Sequence, residues 1–192
     1  MALPCRLRRL TRPDNGGYIY VRVVDPVSGI EKPPGGIGLL LVRGYTTTHY
    51  YENAFETAEA FTDDGYYKTG DLGSFGEDGY FRYHSRLKEM VKVGGINVSP
   101  VEVEQILLCH PQIREAAVVG VSDPLQGEAL AAVIVITGDL TTQDVHSYMR
   151  DTAASFKTPS HIIVQSADWI PRTASGKVSK QVLKEKVLSH LT

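Results

Sequence analysis

HSRLKEMVKVGGINVSPVEVE, residues His84 to Glu104, is the stretch on which the reading of this chain turns. It sets a basic turn, a short apolar run, a glycine pair and a helix start side by side. Ser99 and Glu102 have the spacing of a capping box, and Pro100 occupies the first helical position. Val103, Ile106 and Leu107 then form an apolar stripe at helical spacing. Upstream, Met90 to Val93 reads as a strand. Gly94-Gly95 lets the backbone turn sharply or come close to a ligand. The pattern alone fits two readings: an ordinary strand–turn–helix connection, and a joint or phosphate-facing edge.

Working outward, the chain changes character on either side of this stretch. Before it, Tyr18 to Val24 and Ile37 to Arg43 are rich in aromatic and branched residues and predict strands. Asp25-Pro26-Val27-Ser28-Gly29 and Pro33-Pro34-Gly35-Gly36 are breakers. Asn53 can cap a short helix running through Ala60. Two strands are expected near Tyr66 to Lys68 and Leu72 to Phe75, then a hairpin turn at Glu77-Asp78-Gly79 into Tyr80 to Tyr83. After it, helix (Pro100–Cys109), strand (Glu115–Val121), strand (Ala129–Thr137), helix (Thr142–Ala154), strand (Ile162–Ser166) and helix (Lys180–His190) follow. The fold class is α+β: a small mainly-β segment followed by a compact α/β domain. The boundary falls near Arg86 to Lys88.

Composition narrows the function classes. The 192 residues suffice for one large or two small domains. A net charge of -2 gives no footprint for nucleic acid. Cys5 and Cys109 are the only cysteines, so a reducing, cytoplasmic setting is expected and a disulfide framework is not. The longest apolar run, Ala129 to Ile136, is too short for a membrane span. Arg6, Arg8, Arg9 and Arg12 precede the first acid, but no apolar core follows them, so a secretory leader is not expected. The six histidines are scattered without metal-ligand spacing, and no zinc site is expected.

Two further motifs carry candidate chemistry. Pro171-Arg172-Thr173-Ala174-Ser175-Gly176-Lys177 is a loop of small and polar residues before the last helix. Its lysine can reach outward as a point charge for phosphate or carboxylate. It is not a P-loop, because Pro171 stands where glycine is required and Val178 where Ser or Thr is required. The loop reads as mobile, and a solvated basic loop is the plain alternative. In Tyr67-Lys68-Thr69-Gly70-Asp71, an aspartate after a tight glycine turn can accept two hydroxyl hydrogen bonds, as a ribose offers. A simple turn aspartate is the plain alternative there.

In this order, the three motifs resemble those of the adenylate-forming superfamily of acyl- and aryl-CoA synthetases, luciferases and peptide-synthetase adenylation domains. Tyr67 to Asp71 resembles its ribose-binding motif, Ser85 to Glu104 its hinge and glycine loop, and Pro171 to Lys177 its catalytic-lysine motif. The stretch Gly94 to Glu104 is most similar to CoA ligases. Departures are Ser85 in place of the usual glycine, Leu39 in place of the usual glutamate and Tyr50 in place of a common glycine.

The resemblance implies the C-terminal portion of an acyl- or aryl-CoA ligase. Residues 18–85 would end the large domain's β-subdomain, residues 86–192 would form the mobile C-terminal domain, and residues 1–17 would be an extension open to disorder. It implies that Asp71 and Arg86 hold ATP or AMP, that Lys177 is catalytic, and that Lys88 is the hinge. Lys92, Gly94 and Gly95 would serve the coenzyme A step. Mg2+ would arrive with ATP, its ligands lying outside this chain. The implied partners are an aryl or fatty carboxylic acid, coenzyme A and the upstream domain of the parent enzyme. A peptide-synthetase piece and a stand-alone, non-catalytic interaction module are the competing readings. Parted from upstream sequence, the chain is expected to be inactive for adenylation. Its β part would then self-associate through unpaired strand edges.

Overall fold

The computed structural model describes residues 8–11, 18–44 and 46–191. The chain divides between Lys88 and Glu89 into two compact units.

The first unit is an antiparallel meander. Strands β1 (Arg8–Thr11), β2 (Tyr18–Val24), β3 (Gly38–Gly44), β4 (Tyr67–Phe75) and β5 (Phe81–Arg86) lie in sequence order, with helix α1 (Ala54–Ala60) between β3 and β4. Alternation along the strands buries Val21, Val23 and Phe75, with Ile19, Leu40, Val42 and Phe81 packed against them. Asn53 caps α1 by accepting the Glu56 amide at 3.0 Å. Of the expected extension over residues 1–17, Arg8–Thr11 pair with β2; the remaining residues lie outside those described.

The two strands expected within 66–75 are one. Gly70 takes φ +75° inside β4, and the pairing of β3 with β4 shifts register between Leu39 and Leu41. A glycine that reads as a breaker is here absorbed by a bulge, which bends the strand without ending it.

The second unit holds β6 (Val91–Val93), β7 (Ile96–Val98), α2 (Pro100–Leu108), β8 (Ile113–Asp123), β9 (Gly127–Ile136), α3 (Thr142–Thr152), β10 (His161–Val164) and α4 (Lys180–Leu191). Strand β9 is its centre: it pairs antiparallel with β8, parallel with β10, and meets β6 at Val93. Both faces of β9 are covered, which explains its unbroken apolar run. Leu130, Ala132 and Ile134 pack with Val103 and Leu107 of α2 and Val145 and Met149 of α3. Ala129, Ala131 and Val133 pack on the other side with Leu183 and Val187 of α4. The turn between β8 and β9 is set by Asp123, whose Oδ1 accepts the amides of Leu125 and Gln126 at 2.9 and 2.8 Å. No described helix is long and apolar enough to cross a membrane.

Strand β7 is not among the elements expected from the sequence, in which the glycine loop leads straight into α2. Val93 pairs with Ile96, so Gly94 and Gly95 are the two central residues of a hairpin. Their φ values of 55° and 86° suit the primed turn that two-residue hairpins favour.

Candidate functional site

In the first unit, β4 and β5 set Asp71 directly opposite Arg86. Arg86 Nε lies 2.9 Å from Asp71 Oδ1. Asp71 is the less exposed partner, at 27% against 49% for Arg86. The bulge and the positive φ of Gly70 aim this part of β4. Behind Asp71, the Thr69 hydroxyl accepts the Asp71 amide at 3.0 Å and donates to the Leu40 carbonyl at 2.8 Å. Asp71 Oδ2 makes no hydrogen bond among the described residues. The pair thus offers a fixed carboxylate acceptor beside a cation, chemistry suited to a diol attached to a phosphate. Tyr67, from the same motif, shares a hydrogen bond with Tyr50 at 3.3 Å. That bond, then burial, holds the Tyr67 phenol above its ordinary value. Tyr50, one of the departures from the family pattern, therefore packs against the motif itself.

After Arg86 the chain makes a single 3₁₀ turn, Leu87–Glu89, across the division between the units. Lys88 is its middle residue.

In the second unit, β6 buries Val91 and Val93 and exposes Lys92 between them. The Lys92 amide donates to Glu128 at 2.8 Å, and the Gly94 amide donates to the Gln126 carbonyl at 3.2 Å. A Cβ on Gly94 or Gly95 would meet nothing within 4 Å. Turn geometry alone accounts for both glycines. Asparagine tolerates positive φ, so Gly94→Asn is expected to keep the hairpin. The variant's melting temperature is expected to stay near the parent value, and a large drop would show that the turn needs glycine itself at this position.

The loop before α4 is not the loose one that its composition suggests. Arg172 and Val178 form an antiparallel bridge. The Thr173 amide donates to the Lys177 carbonyl at 2.8 Å, and the Gly176 amide to the Thr173 carbonyl at 2.9 Å. Gly176 supplies the positive φ, +81°, that this turn requires. Lys177 is exposed on it, and its ammonium makes no ion pair among the described residues.

Three ion pairs among the described residues of this unit lie beyond the motifs, one of them Lys157 with Glu102 at 2.5 Å. Lys180 pairs with Glu104, and both contact Val118 of β8: Lys180 donates to its carbonyl at 2.8 Å, and Glu104 accepts its amide at 2.7 Å. Arg172 pairs with Glu115. One signal was available. Glu104 stands on the Pro100–Val103–Leu107 stripe, and Lys180 on the Leu183–Val187 stripe, where apolar residues belong. No group of three or more His, Cys, Asp or Glu suited to a metal ion occurs among the described residues.

Residues 102–177 match the family described as the AMP-binding enzyme C-terminal domain. The medium-chain acyl-CoA ligase ACSF2, mitochondrial, of Danio rerio is 37% identical over 91% of this chain and 29% of its own length. Pyochelin synthase PchD of Pseudomonas aeruginosa is 38% identical over 89% of the chain and 31% of its own length. ATP-bound MatB from Rhodopseudomonas palustris superposes with a TM-score of 0.83 at 36% identity, over 88% of this chain and 34% of that one. The chain thus spans about a third of the length of the curated relatives it matches.

Proposed function

Because the chain belongs to the adenylate-forming, AMP-binding enzymes and corresponds to their C-terminal portion, we propose that it supplies the ribose clamp, hinge and catalytic lysine of an ATP-dependent acyl- or aryl-CoA ligase. The observation that carries this reading is the Asp71–Arg86 pair, built on one hairpin immediately before the 3₁₀ turn.

The reaction has two steps. A carboxylate oxygen attacks the α-phosphorus of ATP, and the bond to the β-phosphate bridging oxygen breaks to release pyrophosphate. The thiol of coenzyme A then attacks the acyl carbon, loses its proton, and expels AMP. Asp71 accepts from the ribose hydroxyls, and Arg86 holds its carboxylate in place while facing ribose or phosphate. Lys177 places a positive charge between the carboxylate and the α-phosphate oxygens, where charge develops in the first step. Lys88 is the pivot between the steps, and Lys92 with the Gly94-Gly95 hairpin serves the second. Mg2+ would enter with the ATP phosphates, and no step is assigned to it. The substrate class is an aryl or fatty carboxylic acid.

The test is a hybrid enzyme in which the chain from Tyr18 onward replaces the matched third of the medium-chain acyl-CoA ligase ACSF2 of Danio rerio. With a medium-chain fatty acid it is expected to exchange pyrophosphate and to form the thioester. A folded hybrid that does neither overturns the reading. The 192-residue chain alone is expected to give no exchange. The resemblance implies that the phosphate loop, adenine motif and carboxylate pocket belong to sequence outside the matched segment. Exchange by the chain alone would refute that part of the proposal.

A further inference from the structure

The residues around Lys177 form a strap with two fastenings on one strand. On the upstream side, the Arg172 guanidinium is shared. Its NH2 pairs with Glu115 of β8, and its NH1 donates to the Gly176 carbonyl at 3.1 Å, one residue before Lys177. On the downstream side, the Ser179 amide returns to the Pro171 carbonyl at 2.8 Å. Lys180 then fixes the start of α4 to Val118 and Glu104. Glu115 and Val118 both belong to β8, which among the described residues pairs with no strand but β9. The free side of β8 thus anchors the hairpin at both shoulders.

We infer that Arg172 is a positioning residue for Lys177, acting through Glu115 to hold the hairpin in one shape. The inference rests on the adenylation role proposed for Lys177. A planar fork with several donors can bind a carboxylate with one arm and a carbonyl with another; an ammonium on a flexible stem cannot hold both in fixed geometry. Both partners are partly exposed, at 41% and 37%, so the ion pair contributes little to global stability. Its effect is local. It restricts the turn that carries the Lys177 charge, and misplacing a catalytic charge by a small distance is costly in rate.

Four variants of the hybrid enzyme test this: Arg172→Ala, Arg172→Lys, Glu115→Ala and the Arg172→Ala/Glu115→Ala double. Arg172→Ala and Glu115→Ala are each expected to lower kcat for adenylation by about tenfold to a hundredfold, leaving KM for ATP within about twofold. Thioester formation from supplied acyl-AMP stays at the parent rate. Arg172→Lys recovers part of the loss. The double variant is no slower than the slower single, because both act through one contact. In the 192-residue chain itself, exchange of the Thr173 and Gly176 amides quickens in each alanine variant while the melting temperature holds. A Glu115→Ala enzyme with parental adenylation would overturn the inference, since Arg172 would then be contacting substrate on its own. Equal loss in both half-reactions, or unchanged amide exchange, would also overturn it. If Lys177→Ala leaves adenylation intact, the proposed function fails instead, and the exchange measurement alone decides whether the strap exists.

Discussion

Lys177→Ala in the hybrid enzyme is expected to slow acyl-AMP formation by roughly two to four orders of magnitude while thioester formation from supplied acyl-AMP stays near normal. The size follows from the role proposed for the side chain. As the carboxylate attacks the α-phosphorus, negative charge spreads over the entering oxygen and the phosphate oxygens. A fixed ammonium between them interacts more strongly with that arrangement than with the separated substrates, so its loss falls on kcat. Its surroundings fit that role. It is exposed on a hairpin closed by its own backbone carbonyl, and its ammonium has no carboxylate partner among the described residues to break from first. Lys177→Arg restores the charge but not the reach or the point-like geometry, and is expected to recover only a part. Stopped-flow measurement of each half-reaction separates the outcomes. Equal slowing of both steps would remove Lys177 from the adenylation role.

Charge removal by acylation of the Lys177 amine should mimic the alanine variant in direction.

How far the sequence goes depends on the range of the interaction. The α2 start was legible because its cap is local: the Ser99 hydroxyl accepts the Glu102 amide at 3.3 Å. The central strand β9 was legible because burial on both faces forces a continuous apolar run. Asp71 and Lys177 were singled out through motifs, each defined within a few residues, and their roles are the proposed ones. What failed was pairing at a distance. Gly94-Gly95 is a hairpin signal, but β7 has only three residues and no alternation to announce it. Gly70 reads as a break because its bulge lies in the pairing of β4 with β3, and the partner strand is about thirty residues away in sequence. The fastening of the Lys177 hairpin is the extreme case. Glu115 and Arg172 are separated by 57 positions, and Glu104 and Lys180 by 76. Nothing local marks Arg172 as structural. A glutamate and a lysine on otherwise apolar helical stripes do mark Glu104 and Lys180, and two such misplaced charges of opposite sign are a reason to pair them from the residue pattern alone.

Lys88→Pro is expected to produce the opposite asymmetry to Lys177→Ala: adenylation survives, and thioester formation falls by about a hundredfold or more. Lys88 is the middle residue of the 3₁₀ turn Leu87–Glu89, where the chain passes from one compact unit to the next. Within such a turn the early amides have no internal partner, so proline at this position sacrifices little hydrogen bonding. Its effect is on freedom. The ring fixes φ at residue 88, and it pushes Leu87 away from helical angles toward extended ones. A joint with both torsions restricted cannot exchange between two arrangements on the time scale of turnover. If the retained arrangement is the one that adenylates, acyl-AMP accumulates and coenzyme A fails to consume it. Lys88→Ala, which leaves the backbone free, separates this from any role of the lysine charge and is expected to turn over both steps. Single-turnover assays with radiolabelled acid read the two steps directly. A Lys88→Pro enzyme that completes both at the parent rate would place the pivot elsewhere. A proline variant that adenylates slowly but consumes supplied acyl-AMP at the parent rate would mean that the opposite arrangement had been locked, with the pivot still at Lys88.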